Sequence, residues 1–174
     1  MTRISSLNVE HAHKQLEALI ELLSDAVQSG ASVGFVQPLE KLEAQTYWHG
    51  VIADVKRDSR VLLIAELDGR VVGTGQLILE ARANASHRAE VSKVLVHSAA
   101  RRRGIGKALM RALEREALSH HRTLLHLDTR AGDHSEALYE SVGYRLIGGI
   151  PNLARHPDHD LLEANAIYYK VIQP

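Results

Sequence analysis

Apolar positions along this chain change period several times, and each change marks an element. Leu16, Leu19, Ile20, Leu23 and Val27 recur at the spacing of one helix face, which predicts a helix from Val9 to Ser29. Ser29-Gly30-Ala31-Ser32-Val33-Gly34-Phe35 breaks that period with two glycines and small residues. Pro38 suits the first turn of a second helix, expected from Pro38 to Arg57, with Leu39, Leu42, Tyr47, Trp48, Ile52 and Ala53 on its buried side. Thr2–Leu7 reads as a short first strand. Val61–Leu67 and Val71–Leu79 are β-rich and flank Asp68-Gly69, a hairpin turn signal. Arg88–Val96 is a fourth strand after the loose Ala81–His87 loop. Ile105, Leu109, Ala112, Leu113 and Ala117 then mark a helix from Gly104 to about His120. A fifth strand spans Arg122–Thr129 and a short helix Asp133–Val142. Tyr144–Ile150 is a sixth strand, Pro151–Leu162 a polar loop and Ala166–Ile172 a seventh strand.

Strand, helix and strand across residues 88–129 imply a parallel pair joined by a right-handed crossover. The rest of the sheet is expected to be mainly antiparallel, giving an α/β (α+β) fold of about seven strands and about four helices. With 174 residues and no repeats or linkers, one domain over residues 1–174 is expected. Lys plus Arg number 21 and Asp plus Glu 21, so net charge is zero, which argues against a broad nucleic-acid surface. The chain has no cysteine, so disulfides, thiolate catalysis and thiolate metal sites are excluded. Neither a basic-then-apolar leader nor a run of 18 apolar residues occurs, so a soluble cytoplasmic protein is expected.

The densest chemistry lies between Val94 and Met110. An apolar strand end, Val94-Leu95-Val96, leads through His97-Ser98-Ala99-Ala100 to Arg101, Arg102 and Arg103, and then Gly104-Ile105-Gly106-Lys107 opens a helix. Gly104 and Gly106 keep side chains away from the first helical N–H groups, which have no partner within the helix. The macrodipole places about half a positive charge there. The three arginines add formal charge, and Lys107 is placed to reach a phosphate. A phosphate-bearing ligand suits this arrangement. Two phosphate loops are excluded by spacing: a dinucleotide fingerprint needs glycine at position 109, which is Leu109, and a Walker loop needs glycine and Ser or Thr where Arg101 and Ala108 stand.

Charged residues inside parallel strands also need a reason, because such strands are usually covered on both faces. Glu90 and Lys93 fall in the fourth strand, His126 and Asp128 in the fifth. One reading makes Glu90–Lys93 and Asp128–His126 structural pairs. The other turns Glu90 and Asp128 toward an amine. An aliphatic ammonium of pKa about 10.4 is only about one part in two thousand neutral at pH 7. A base that takes its proton is worth roughly 10²–10⁴ in rate. His156-x-x-His159 lacks the helical i, i+4 spacing of a metalloprotease pair, and no metal site is expected.

Arg101-x-x-Gly104-x-Gly106 after an apolar strand resembles the acetyl-CoA pyrophosphate loop of the GNAT N-acetyltransferases. Many members carry proline shortly after the strand, where this chain has His97-Ser98, a departure that bears on loop stiffness. Leu138-Tyr139-Glu140-Ser141-Val142-Gly143-Tyr144 resembles the family's helix whose tyrosine faces the coenzyme sulfur, with Gly143-Tyr144 in place of the usual Gly-Phe. The segments Gly30–Phe35, Arg88–Val91, Leu124–Thr129 and Ala166–Lys170 look like the tabtoxin-resistance acetyltransferases, which acetylate the amine of a small β-lactam, amino-acid-like toxin.

The resemblance implies a GNAT fold, with its parallel pair splayed around acetyl-CoA as cosubstrate. It places the backbone of Val94, Leu95 and Val96 on the pantetheine arm. Arg101, Arg102, Arg103, Gly104, Ile105, Gly106 and Lys107 would hold the pyrophosphate, and Tyr139 would serve the sulfur. Glu90 and Asp128 would face the acceptor, bordered by the Ser29–Phe35 loop, which the residues alone leave as a mere helix connection. The expected activity is direct acetyl transfer to the primary amine of a small amino-acid-like, toxin or antibiotic molecule. A monomer or homodimer without nucleic-acid or membrane partners is expected. The alternatives are a protein or peptide acetyltransferase and a noncatalytic acyl-CoA-binding module.

Overall fold

Four consecutive apolar residues, Leu62, Leu63, Ile64 and Ala65, are all buried. Successive strand residues point to opposite faces, so this strand must be covered on both sides. The structure is a computed structural model that describes residues 2–173. Its elements run β1 (Thr2–Ser6), α1 (Val9–Lys14), α2 (Leu16–Gln28), α3 (Lys41–Lys56), β2 (Arg60–Leu67), β3 (Arg70–Leu79), β4 (Arg88–Val96) and α4 (Ile105–Ser119). Then follow β5 (Leu124–Arg130), α5 (Ser135–Ser141), β6 (Arg145–Gly148), β7 (Ala154–Arg155), β8 (Leu162–Glu163) and β9 (Asn165–Val171). Seven strands form one sheet in the order β1-β2-β3-β4-β5-β9-β6, while β7 and β8 pair separately. Every neighbouring pair is antiparallel except β4 and β5. The mixed sheet with one parallel pair is the expected one.

Three boundaries differ from expectation. The first helix is two, which brings the α-helices among the described residues to five. Asn8 caps α1, its Oδ1 accepting from the His11 amide at 2.9 Å, and Gln15 at ψ 6° turns the chain before α2. The next helix begins at Lys41, because Glu40 before it is extended at ψ 140°. Its buried side is Ala44, Trp48, Val51 and Ile52, and Leu42 is 74% exposed. Leu42 lies two positions before Ala44, about 200° around the helix, so the two cannot share a face. Finally, the polar loop after residue 150 contains the two-residue strands β7 and β8, which brace it as a minimal hairpin.

Each sheet face has its own core. On one, Ile105, Leu109, Met110 and Leu113 of α4 meet Leu63, Leu77, Val91, Leu125 and Leu127. On the other, α2 and α3 pack Leu19, Leu23 and Trp48 against Leu62, Ile64 and Leu95. Each fully buried large apolar side chain is worth roughly 1.5–3 kcal/mol relative to exposure. Gly75 lets α4 sit close, since a Cβ there would come 2.9 Å from Leu113. Lys170 of β9 ties the far side together, donating to Glu114 Oε1 at 2.8 Å and to Val142 O at 2.7 Å. No described helix is long and apolar enough to cross a membrane.

Candidate active site

The strands β4 and β5 are joined only at Arg88–Leu124, Ala89–Leu125 and Glu90–His126. Beyond these pairs they part, and a cleft of about 1150 Å³ lies along the opening. A bulge bends β4 away at this point. Thr74 faces Leu95 and Gln76 faces Ser92, so Lys93 and Val94 together oppose Gly75. Lys93 absorbs the extra residue with a left-handed φ of 50°. That conformation costs a non-glycine residue on the order of 1–2 kcal/mol. The bulge also shifts the alternation. Val91, Val94 and Val96 all face the α4 core, while Leu95 faces the core of α2 and α3.

At one end the cleft is built for an anion. Gly104 caps α4 at φ 77°, no side chain caps the helix, and its first turn contains no acid. Arg102 is also left-handed, at φ 61°; such turns aim successive N–H groups into a common concavity. Arg101 Nε donates to Val96 O at 3.2 Å, which fastens the loop to the strand end. Val94, Leu95, Val96, Arg101, Arg102, Gly104, Ile105, Gly106 and Lys107 all line the cleft. Arg103 does not. It is exposed beside the loop, since three successive residues in a turn cannot all face one way.

The two glycines serve different ends. A Cβ on Gly104 would meet nothing within 4 Å, so its glycine answers the left-handed backbone. A Cβ on Gly106 would lie 3.1 Å from Leu138 of α5, so this glycine also lets α5 approach. The His97-Ser98 corner is held by Asp25 of α2. That carboxylate accepts from the Ser98 amide at 2.8 Å and from its hydroxyl at 2.6 Å, with His97 Nε2 3.7 Å away.

At the other end, Glu90, Lys93, Asp128 and the Gly30–Gly34 loop line the same cleft. Neither of the two structural pairs considered from the sequence forms. The Glu90 carboxylate makes no hydrogen bond or ion pair among the described residues. Asp128 Oδ2 accepts from Asn165 Nδ2 at 3.1 Å, and Asn165 Oδ1 accepts from the Ile150 amide at 2.8 Å. Asn165 is only 7% exposed, so it holds Asp128 from a fixed base. Arg130 is fully engaged, with Gly30 O at 3.1 Å, Asp133 at 3.1 Å and Glu163 at 3.4 Å. Asp133 also accepts from the Ser135 amide at 2.8 Å, which sets the start of α5. Burial opposes ionisation of Asp133, but its bonds to Ser135 and the charges of His134 and Arg130 outweigh it and hold the carboxyl below its ordinary value.

Tyr139, only 8% exposed, reaches the cleft from α5 between the rings of Tyr144 and Tyr168. Burial above all, then the charges of Asp133 and Asp128, push its phenol well above the usual tyrosine value. It is therefore a hydroxyl donor, not a phenolate. Sequence reasoning missed Asn165 and Arg130, which bond across elements, and also Asp133 and Ser135, whose bond two residues apart is a local turn signal that the sequence did offer. His156, Asp158 and His159 do gather, with ligand atoms within 4.8 Å. They satisfy one another on an exposed rim: Asp158 pairs with His156, and the two imidazoles stack at 3.7 Å.

Comparison with known proteins gives this geometry its context. The acetyltransferase (GNAT) family model matches residues 16–144. An uncharacterized N-acetyltransferase in the hisH-hisA intergenic region of Azospirillum brasilense is 32% identical over 130 residues, 74% of this chain and 73% of that protein. In fold, a ribosomal-protein-alanine N-acetyltransferase from Brucella melitensis superposes with a TM-score of 0.79 at 24% identity, covering 98% of this chain and 99% of that one. A Salmonella typhimurium protein solved with its cofactor acetyl-CoA gives 0.80 at 16% identity, covering 100% and 95%. The fold match runs through the whole chain, and the family model from α2 through the helix that carries Tyr139, together with the Azospirillum relative, settles the conclusion: this chain belongs to the acetyltransferase (GNAT) family.

Proposed function

We propose that this protein is an acetyl-CoA-dependent N-acetyltransferase that acetylates the primary amine of a small molecule by direct attack on the thioester. The observation that carries the reading is one cleft with an uncapped, basic helix start at one end and the carboxylates of Glu90 and Asp128 at the other. Acetyl-CoA supplies the activated acetyl group. The α4 N–H groups with Arg101, Arg102 and Lys107 suit its pyrophosphate, and the open edge of β4 at Val94–Val96 suits its extended arm. Asp128, steadied by Asn165, holds the incoming ammonium. Glu90, which has no partner of its own, takes the ammonium proton. The freed nitrogen attacks the carbonyl carbon, the carbon–sulfur bond breaks, the nitrogen's second proton passes to the sulfur, and the Tyr139 hydroxyl supports the thiolate as it departs. No cysteine exists to form a cysteinyl acyl-enzyme.

Thiol release from acetyl-CoA, followed across amino acids, aminoglycosides, polyamines, peptides and a β-lactam amino-acid toxin, tests the assignment. The toxin belongs in the panel because residues 30–35, 88–91, 124–129 and 166–170 look like the tabtoxin-resistance enzymes. Turnover with a small amine is expected. Release with peptides alone would make this a protein acetyltransferase, and tight acetyl-CoA binding without release would make it a sensor.

A further inference from the structure

Arg102 and Lys107 lie at the α4 end of the cleft, where the pyrophosphate is proposed. Arg130 is shared among Asp133, Glu163 and Gly30, and Arg101 is bound to Val96 O. Lys93 is different. Its Nζ makes no hydrogen bond or ion pair among the described residues, although the side chain is partly buried and lines the cleft. It lies 5.7 Å from the centre of the Tyr47 ring, and a Cβ on Gly34 would come 4.0 Å from it. The ring offers its face to the charge but leaves three N–H donors unanswered.

The surroundings hold this lysine in place deliberately. The β4 bulge sets its backbone left-handed. Beneath it, Arg60 donates to Gln76 Oε1 at 2.6 Å and Gln76 Nε2 donates to the Tyr47 oxygen at 3.1 Å, fixing the ring on which Lys93 rests. Gln76 is fully buried, and Arg60 is itself neutralised by Asp54 at 2.9 Å. Glu90 and Asp128 face Lys93 electrostatically, yet neither pairs with it. The acceptor end thus carries a free cation beside two carboxylates. A half-desolvated ammonium whose N–H donors touch no anion is costly, and a ligand that brings one into contact regains that energy.

We propose that Lys93 receives an anionic group, a carboxylate or an acid of similar geometry, borne by the acceptor near its reacting amine, so that the acceptor is a small zwitterion. The ammonium faces Glu90 and Asp128 while the anion faces Lys93. This rests on the acetyl-transfer reading and deepens it. Discrimination then comes from charge on the acceptor.

Matched acceptors that differ only in the carboxylate test the site: L-lysine against 1,5-diaminopentane, L-ornithine against 1,4-diaminobutane, and L-phenylalanine against phenethylamine. Thiol release is measured for wild type, Lys93→Met and Lys93→Glu, with circular dichroism and acetyl-CoA calorimetry to verify folding. In wild type the carboxylate-bearing member of a pair should be favoured in kcat/KM by about tenfold or more, the strength of a charged hydrogen bond. Lys93→Met should bring that ratio near one, chiefly through KM, and Lys93→Glu should invert it. A ratio unchanged in both variants, or a wild-type preference for the decarboxylated member, overturns the proposal. If no amine releases thiol, the acetyl-transfer reading fails, and calorimetry of the same pairs on CoA-loaded protein decides for Lys93 alone. Binding of the amino acid that is lost in Lys93→Met sustains the anion site; binding of neither member, or binding indifferent to the substitution, removes it.

Discussion

A phenol kept protonated by burial is suited to support a leaving thiolate, and this is the position of Tyr139. Tyr139→Phe keeps the ring between Tyr144 and Tyr168 and removes only the oxygen. Turnover should fall by roughly 10²-fold, the low end of acid catalysis, with acetyl-CoA affinity little changed. Wild-type turnover in a variant whose chemical step is rate-limiting would make the tyrosine purely structural. The carboxylates separate in a similar way. Glu90 is free, whereas Asp128 is braced by Asn165. Glu90→Gln is expected to lose turnover by roughly 10²-fold or more while the amine KM holds. Asp128→Asn should raise KM for the amine with turnover at saturation largely kept. Reversal of the two outcomes exchanges the roles.

At the scale of elements, the start of α5 governs how Tyr139 enters the cleft. Asp133 anchors it through Ser135 and Arg130. Because its folded pKa lies below the ordinary 3.8, the unfolded chain binds a proton more readily than the folded one. The stability that Asp133 contributes is therefore fully present above about pH 4 and lost as pH falls through the folded value. Asp133→Asn should destabilise the protein by about 1–3 kcal/mol at neutral pH, and denaturant titrations of the two proteins should converge below pH 3.8. A constant gap across that range would assign the loss to packing. The corner after β4 shows the same economy of position: Asp25 clamps His97-Ser98 from α2.

The whole molecule divides its labour between the two faces of one sheet. The α4 face carries the anion-ready loop, and the α2–α3 face carries the wall behind Lys93. Trp48 is fully buried in the second core, next to Tyr47. Trp48→Ala should cost about 3–5 kcal/mol through the cavity it leaves, a large part of a typical domain's stability. At a temperature where the variant stays folded, the amine KM should rise while acetyl-CoA affinity holds, read by kinetics and calorimetry. Equal loss of both would show that the two half-sites are mechanically coupled through the sheet.

What the sequence by itself determined is whatever depends on near neighbours. The α4 stripe from Ile105 to Ala117, the Asp68-Gly69 hairpin and the glycine-opened helix start are set by periodicity and backbone freedom within a few residues. The parallel pair followed from connection length. Glu90, Asp128 and Tyr139 were legible only as residues that line the cleft, the first two as charges inside strands and the third through the resemblance of residues 138–144. Tertiary structure alone decided the rest. The β4 bulge exists only in the register between β3 and β4. Asn165 meets Asp128 across 37 positions, and Asp25 meets Ser98 across 73. The same three-dimensional placement turns Arg103 away, leaves Leu42 in water and keeps Lys93 out of direct contact with Glu90 and Asp128. A side chain's propensity is carried by its own atoms and near neighbours, but its partner is set by which strands and helices come to lie beside it, and that is known only once the sheet has closed.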